Sequence, residues 1–123
     1  MADRVVVRVP ASTAHLALVR ATATALACLV DFPYDRITDL QIAIDEVCSR
    51  ILATSETAPT QLEVTFLCDP DTLRLEVRGD RPLRQGASFL TDWSRTILEA
   101  VAEGVEVQSP DGIAVVSLAV SRG

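Results

Sequence analysis

The sequence predicts an α+β fold, a two-layer sandwich in which a mixed five-stranded sheet is covered on one face by three helices. Segments with alternating apolar residues and segments with apolar residues every three or four positions follow one another in the order β-α-α-β-β-α-β-β. The length of 123 residues suits one domain with one core, so we expect residues 1–123 to form a single domain. Apolar residues make up 49% and aromatic residues 4%, which predicts an aliphatic core.

The charge and the cysteine pattern exclude several functions. The formal charge of −6 lacks the basic footprint that nucleic-acid binding requires, and it disfavours an anionic membrane surface. The charge-free run Ala21–Val30 is too short to span a bilayer and follows a strand-like segment, so we expect a soluble, unprocessed, cytoplasmic protein. Cys28, Cys48 and Cys68 lack CxxC spacing and are odd in number, which favours buried, reduced thiols. His15 is the only histidine, so no metal site is expected.

The chain begins with an edge strand and an apolar helix. Valines at positions 5, 7 and 9 predict a half-buried strand near a sheet edge, which Pro10 ends. Ser12 or Thr13 can cap a helix that runs to about Val30. Its first apolar stripe consists of Leu16, Val19, Ala23, Leu26 and Val30.

The opposite side of this first helix is apolar as well. Leu18, Ala25 and Leu29 lie there, and Arg20 is the only charged residue of the helix. Because a helix that is apolar nearly all round is buried on more than one side, we expect the second side to contact another subunit or a partner. The alternative is a helix enclosed by its own fold.

A central helix is expected from Ile37 to Thr54, after a loop that contains Pro33. One face carries a continuous apolar stripe, and the other carries polar residues that include Glu46 and Arg50. These two residues are one turn apart, so we expect them to form an ion pair. The pattern alone also fits an ordinary surface helix. The apolar stripe consists of Ile37, Leu40, Ile44, Val47 and Ile51.

The second half of the chain contains two hairpins separated by a helix. Alternating segments around Asp69-Pro70-Asp71 predict the first hairpin, and the polar segment 79–86 predicts a surface loop. Asp111-Gly112 predicts the turn of the second hairpin. The third helix is expected from about Phe89 to Glu103, with Gly104 as its C-cap. The inner face of that helix is expected to comprise Trp93, Ile97, Ala100 and Val101.

The central helix resembles the helix that carries the nucleotide-site glutamate in RsbW/SpoIIAB-type anti-sigma factors, the serine-kinase branch of the GHKL (histidine-kinase-like) ATPases. The family pattern is L-x-x-A-x-x-E-x-x-x-N-A, and residues 40–51 here read LQIAIDEVCSRI. Leu40, Ala43 and Glu46 match, whereas Arg50 stands at the position of the magnesium-binding asparagine. The predicted element order also fits the GHKL fold, and the segment DEVCSR is similar to the UsfX-type branch.

The resemblance implies a nucleotide site that has lost most of its parts. Arg50 cannot ligate magnesium, because a guanidinium has only donors and carries positive charge. Asp80 lies one residue late for the adenine-binding aspartate of the family, and residues 92–95 lack the glycines of the phosphate-binding turn. Glu46, Arg50, Asp80 and Gly86 are therefore expected to be remnants of a nucleotide pocket, and neither ATP nor magnesium is expected as a cofactor.

The resemblance implies a stress-response regulator of transcription, an anti-sigma factor that sequesters an alternative sigma factor and is released by an anti-anti-sigma (STAS-type) protein. Arg20 matches the helix-one arginine that contacts both partners in the family, with Leu16, Val19 and Ala23 expected beside it. Dimerisation through the apolar side of that helix would follow the family. One alternative is an active ATP-dependent serine kinase of the anti-anti-sigma protein, with Glu46 as catalytic base. Another is a scaffold domain of a larger complex.

Overall fold

Five strands and three α-helices are present in residues 3–123, the part of the chain that the computed structural model describes. Their order confirms the predicted succession of strands and helices. The elements are β1 (Asp3–Pro10), α1 (Leu16–Leu29), α2 (Tyr34–Thr54), β2 (Gln61–Cys68), β3 (Thr72–Arg78), α3 (Asp92–Val101), β4 (Glu103–Gln108) and β5 (Val115–Ser121).

The strands form one sheet in the order β1-β2-β3-β5-β4, which confirms β1 as an edge strand. Each neighbouring pair is antiparallel, so the prediction of a mixed sheet is wrong. The reason is the position of β5. The crossover through α3 makes β4 parallel to β3, but β5 lies between these two strands and pairs with both.

The helices cover one face of the sheet, and the core lies between the two layers. The alternation of β2 and β3 places their apolar residues on this inner face, with Phe66 paired to Val5 on one side and to Leu75 on the other. Leu75 is paired in turn with Leu118 of β5. Phe66, Leu75 and Leu118 are all buried, so the period of two in the sequence correctly predicted which face of the sheet packs against the helices.

α1 and α2 form an antiparallel helical pair. The Arg20 Nη1 atom lies 2.7 Å from Asp45 Oδ1, and Gln41 Nε2 donates a hydrogen bond of 2.9 Å to Thr24 Oγ1. The outer side of α1 is not covered by other parts of residues 3–123: Leu29, which lies on that side, is 80% exposed. The alternative of a helix enclosed by its own fold is therefore wrong for this domain.

α3 differs from the prediction in its start, its end and its orientation. Thr91 caps it, because the Thr91 Oγ1 atom accepts a hydrogen bond of 3.0 Å from the Ser94 backbone N–H. The helix ends at Val101 because β4 begins at Glu103, so Gly104 lies in a strand and is not a C-cap. Its buried residues are Ser94 and Leu98. Trp93, predicted on the inner face, is 72% exposed, and Ala100 is exposed as well.

Two further predictions can be compared with the described residues. Cys48 and Cys68 are buried as expected, but Cys28 lies on the uncovered side of α1 and is exposed. No helix within residues 3–123 has the length and the apolarity needed to cross a lipid bilayer.

Candidate functional site

The region that would correspond to a nucleotide pocket lies between the C-terminal half of α2 and the segment 79–94. The backbone at Gly79 is pressed against α2, since a Cβ atom added there would lie 2.9 Å from Ile51 Cγ2. The Arg84 backbone N–H donates to the Thr54 carbonyl at 2.7 Å, and Leu83 pairs with Ser55 in an isolated β-bridge. Backbone contacts therefore hold the first part of this segment on the end of α2.

Arg50 holds the second part. Its Nε atom donates to the Phe89 carbonyl oxygen at 2.6 Å, and its Nη2 atom donates to the Ser88 carbonyl oxygen at 3.1 Å. Hydrogen bonds that involve a charged group are stronger than those between neutral groups. Two such bonds from one planar guanidinium also fix the orientation of the backbone segment that accepts them. We call this arrangement the Arg50 clamp.

The expected ion pair between Arg50 and Glu46 is wrong. The guanidinium instead satisfies two backbone carbonyls that precede α3, and no ion pair between these two side chains is present in the described part of the chain. Local spacing allowed the pair, but a backbone segment 38 and 39 residues away in sequence competes successfully for the same donors.

Glu46 makes a different contact. Its Oε2 atom accepts a hydrogen bond of 2.8 Å from Ser94 Oγ, and Ser94 is 2% exposed. Ser94 Oγ in turn accepts a bond of 2.9 Å from Thr91 Oγ1. The carboxylate thus lies at the first turn of α3, where a negative charge is favourable. The sequence analysis missed Ser94 and Thr91; the available signal was a threonine followed directly by an aspartate, which is typical of an N-cap and the first turn of a helix.

Asp80 is engaged within the chain as well. Its carboxylate accepts from the Thr60 backbone N–H at 2.9 Å and from the Thr60 hydroxyl. Partial desolvation raises the pKa of Asp80, but the hydrogen bonds from Thr60 and from the Gln61 backbone, with the positive charge of Arg81, together outweigh it and leave the pKa below its usual value. Gly86 has a φ of +78° and lies in open space, since no atom lies within 4 Å of a Cβ built there.

The residues at this site do not fit a magnesium–triphosphate group. Arg50 offers only donors and is already bonded, Glu46 accepts from Ser94, and the Phe89 side chain is buried beside them. Residues 3–123 also contain no group of three or more histidine, cysteine or acidic side chains placed to hold a metal ion.

Two cavities lie elsewhere. One of about 260 Å³ lies between α3 and β4 and includes Leu90 and Leu98 in its lining. A shallow concavity of about 610 Å³ lies on the face of the sheet opposite the helices. Neither is lined by Glu46, Arg50 or Asp80.

The residues expected at the partner surface divide into two groups. Arg20 is half-buried and accessible, and Asp45 pairs with it. Leu16, Val19 and Ala23 are no more than 4% exposed, because they form the inner stripe of α1 that packs on the sheet and α2. The expectation that these three residues contact a partner is wrong for the folded domain. The exposed large apolar residues of the helical pair are Leu18 and Leu29 on α1 and Tyr34 and Ile42 on α2. Ile42 lies one turn before Asp45, the residue that pairs with Arg20.

Comparison with known proteins identifies the fold. No family model matches the chain, and no curated protein matches it. Among solved structures, the crystal structure of the RsbU and RsbW domains of Rv1364c from Mycobacterium tuberculosis superposes with a TM-score of 0.75 at 18% sequence identity. The match covers 98% of this chain and 32% of that chain, so the chain spans about a third of the length of the solved protein. Together with the α+β architecture and the antiparallel five-stranded sheet, this likeness shows that the chain has an RsbW-type fold.

Proposed function

We propose that this protein is an anti-sigma factor that acts by stoichiometric binding rather than by phosphate transfer. It sequesters an alternative sigma factor in the cytoplasm, and an anti-anti-sigma protein of the STAS type releases that factor by competing for an overlapping surface. The RsbW-type fold supports an assignment to this class of regulator. The observation that carries the distinction between binding and catalysis is the Arg50 clamp.

The clamp argues against turnover for a geometric reason. A kinase of this fold needs a cation site, a free carboxylate and a segment that can close over phosphates. Here the guanidinium of Arg50 fastens the backbone at Ser88 and Phe89, and the Glu46 carboxylate is bonded to Ser94. Opening this arrangement for Mg-ATP would break three hydrogen bonds, of which each involves a charged group.

The helical pair supplies the binding surface in this proposal. Arg20 belongs to the same helical pair as the exposed apolar residues Leu18 and Ile42, and arginine suits interfaces because it forks onto carboxylates and packs its stem on apolar atoms. Its pair with Asp45 is part-exposed, and such pairs contribute about 0–1 kcal/mol, so a partner carboxylate can replace Asp45 at little cost.

The binding test uses the purified protein as bait in extract of its own source cells, followed by identification of bound proteins and of copurified nucleotide. We expect a sigma factor in the eluate without nucleotide, and loss of the sigma factor with the Arg20→Glu variant. Arg95→Glu is the matched control, because Arg95 also forms an ion pair, with Glu99 at 3.8 Å, but lies on α3, outside the helical pair. Retention of the sigma factor by Arg20→Glu, or its absence from the wild-type eluate, would contradict the proposal.

The alternative function is an ATP-dependent serine kinase, which the match of Leu40, Ala43 and Glu46 to the pattern of the kinase branch favours. Radiolabelled Mg-ATP and candidate STAS-type proteins test it directly. We expect no transfer by the wild-type protein, and none by Arg50→Asn, because residues 92–95 would still form the first turn of α3 without glycine. Transfer that is lost in Glu46→Gln would establish the kinase.

A further inference from the structure

The free edge of β1 carries backbone groups that face away from the rest of the sheet. β1 is an edge strand and pairs with β2 alone. Just beyond β1, the Ala11 backbone N–H donates to the Thr60 carbonyl at 3.1 Å, and this pair continues the β1–β2 register. Because bonded and non-bonded pairs alternate along antiparallel strands, the odd-numbered residues of β1 exchange backbone hydrogen bonds with β2. The backbone N–H and C=O groups of Arg4, Val6 and Arg8 therefore point toward the free edge.

The side chains of these three residues give the free edge a positive charge, and we call Arg4, Val6 and Arg8 the basic edge. All three lie on the outer face of the sheet and are exposed. Arg4 belongs to no ion pair within residues 3–123. Glu63 accepts from the Nε atom of Arg8 at 2.7 Å, but a guanidinium has further donors on its two Nη atoms. The basic edge thus presents two positive charges four residues apart, with an exposed valine between them.

The inner side of the same strand is incompletely covered. Val5 and Val7 point toward the helices and pack against the core, but both are only partly buried. Their cross-strand neighbours on β2, Phe66 and Val64, are both 0% exposed. Burying the remaining apolar surface of the two valines would be favourable, and a strand added beside β1 would bury it.

A second copy of this chain does not fit the basic edge. Charged residues on an edge strand commonly prevent pairing between identical edges. Here two β1 strands paired antiparallel about Val6 would set Arg4 of each copy against Arg8 of the other, which is repulsive. The other edge strand, β4, is acidic, but its Glu103 and Glu106 are three positions apart and a register shift separates them. The occupant that matches is a different chain with negative charges four positions apart.

We propose that β1 binds an extended segment of a partner protein as an antiparallel sixth strand of the sheet. The segment has the pattern acidic–apolar–any–apolar–acidic. Its two acidic residues lie opposite Arg4 and Arg8, and its two apolar residues cover Val5 and Val7. In such strand addition, backbone hydrogen bonds to the edge supply affinity and the alternating side chains supply specificity. The basic edge contains no residue of the helical pair, so this inference is independent of the proposed function.

The test of charge uses fluorescence anisotropy of labelled peptides with the full chain in low salt. We expect a peptide with the core EVTVE to bind and the matched peptide KVTVK to bind at least about tenfold more weakly, because both cross-strand charge pairs become repulsive. The variant Arg4→Glu with Arg8→Glu should reverse this preference. The control Arg74→Glu with Arg95→Glu changes the net charge equally, on β3 and α3, and should keep the preference of the wild type. Far-UV circular dichroism checks that both variants are folded.

The test of geometry uses peptides that differ only in the position of one backbone methyl group. N-methylation of the central threonine replaces an N–H that points toward β1, so we expect binding to weaken at least about tenfold. N-methylation of a neighbouring valine replaces an N–H that points away from β1 and should change binding less than about threefold. Three results would overturn the inference: no binding of the EVTVE peptide up to millimolar concentration, equal binding of the acidic and basic peptides, or equal effects of the two methylations. An unchanged preference in the variant of the basic edge would overturn it as well.

Discussion

Replacing Arg50 with alanine should loosen the segment before α3 and destabilise the whole domain. The substitution removes the donors that hold the Phe89 and Ser88 carbonyl oxygens at 2.6 Å and 3.1 Å. Both carbonyls belong to a segment whose neighbouring residues carry the N-cap of α3, so the loss should reach that helix.

The size of the effect follows from the two hydrogen bonds. A hydrogen bond to a charged group contributes about 1.5–3 kcal/mol, but the Ser88 carbonyl is exposed and regains water when its donor is lost. We therefore expect a net loss of about 2 kcal/mol, with most of it from the bond to Phe89. For a domain of this size that corresponds to a fall in Tm of roughly 8 °C.

Urea unfolding and amide hydrogen exchange measure the two consequences separately. The variant should unfold at lower urea with an unchanged m-value, and the backbone amides of residues 84–94 should exchange faster than those of the sheet. Arg95→Ala is the control, since Arg95 forms only an exposed ion pair with Glu99 at 3.8 Å and should change stability by less than about 0.5 kcal/mol. Equal stability of Arg50→Ala and wild type, with unaltered exchange before α3, would refute the reasoning.

Three further predictions concern the same domain. The pKa of Asp80 is lower in the folded state, so the charged carboxylate stabilises the folded domain fully above the unfolded pKa of about 4 and loses this effect as the pH falls through the folded pKa. The Tm of the wild type should therefore fall more than the Tm of Thr60→Val between pH 5 and pH 2. Burial raises the pKa of Cys48 to about 12, so a thiol reagent at pH 8 should label the exposed Cys28 rapidly and Cys48 only after unfolding, as mass spectrometry can verify; rapid native labelling of Cys48 would disprove its burial. Gly79→Ala should cost about 1–3 kcal/mol in urea unfolding, because its Cβ would lie 2.9 Å from a methyl carbon of α2, and an unchanged midpoint would show that the backbone there can move.

The strand predictions succeeded because they depend on local periodicity. Alternation around Phe66 and Leu75 requires one face to be buried whatever the neighbouring strands are, and both residues pack in the core. The inner stripe of α1 was found in the same way. Its Leu16 was assigned to the core and to a partner surface at once, and only burial in the folded domain could decide between them.

The orientation of α3 could not be derived from its sequence with the same success. Trp93 is the largest apolar residue of that segment and was expected inside, but the Thr91 cap and the contact between Ser94 and Glu46 turn it outward. Those contacts join residues 48 positions apart in the chain. A helical pattern with only a few apolar residues leaves more than one rotation open, and tertiary hydrogen bonds select one of them.

Sequence alone determined the order of the elements, the inner face of the sheet and the presence of an arginine where a metal ligand was expected, because periodicity and residue chemistry act locally. The folded structure alone decided which acceptors Arg50 would take, that Asp80 would bond to Thr60, and that the outer sheet face would be basic at one edge and acidic at the other. Each of these outcomes is a choice between competing partners far apart in the chain. Such a choice depends on distances that exist only after the strands have paired and the helices have packed on them.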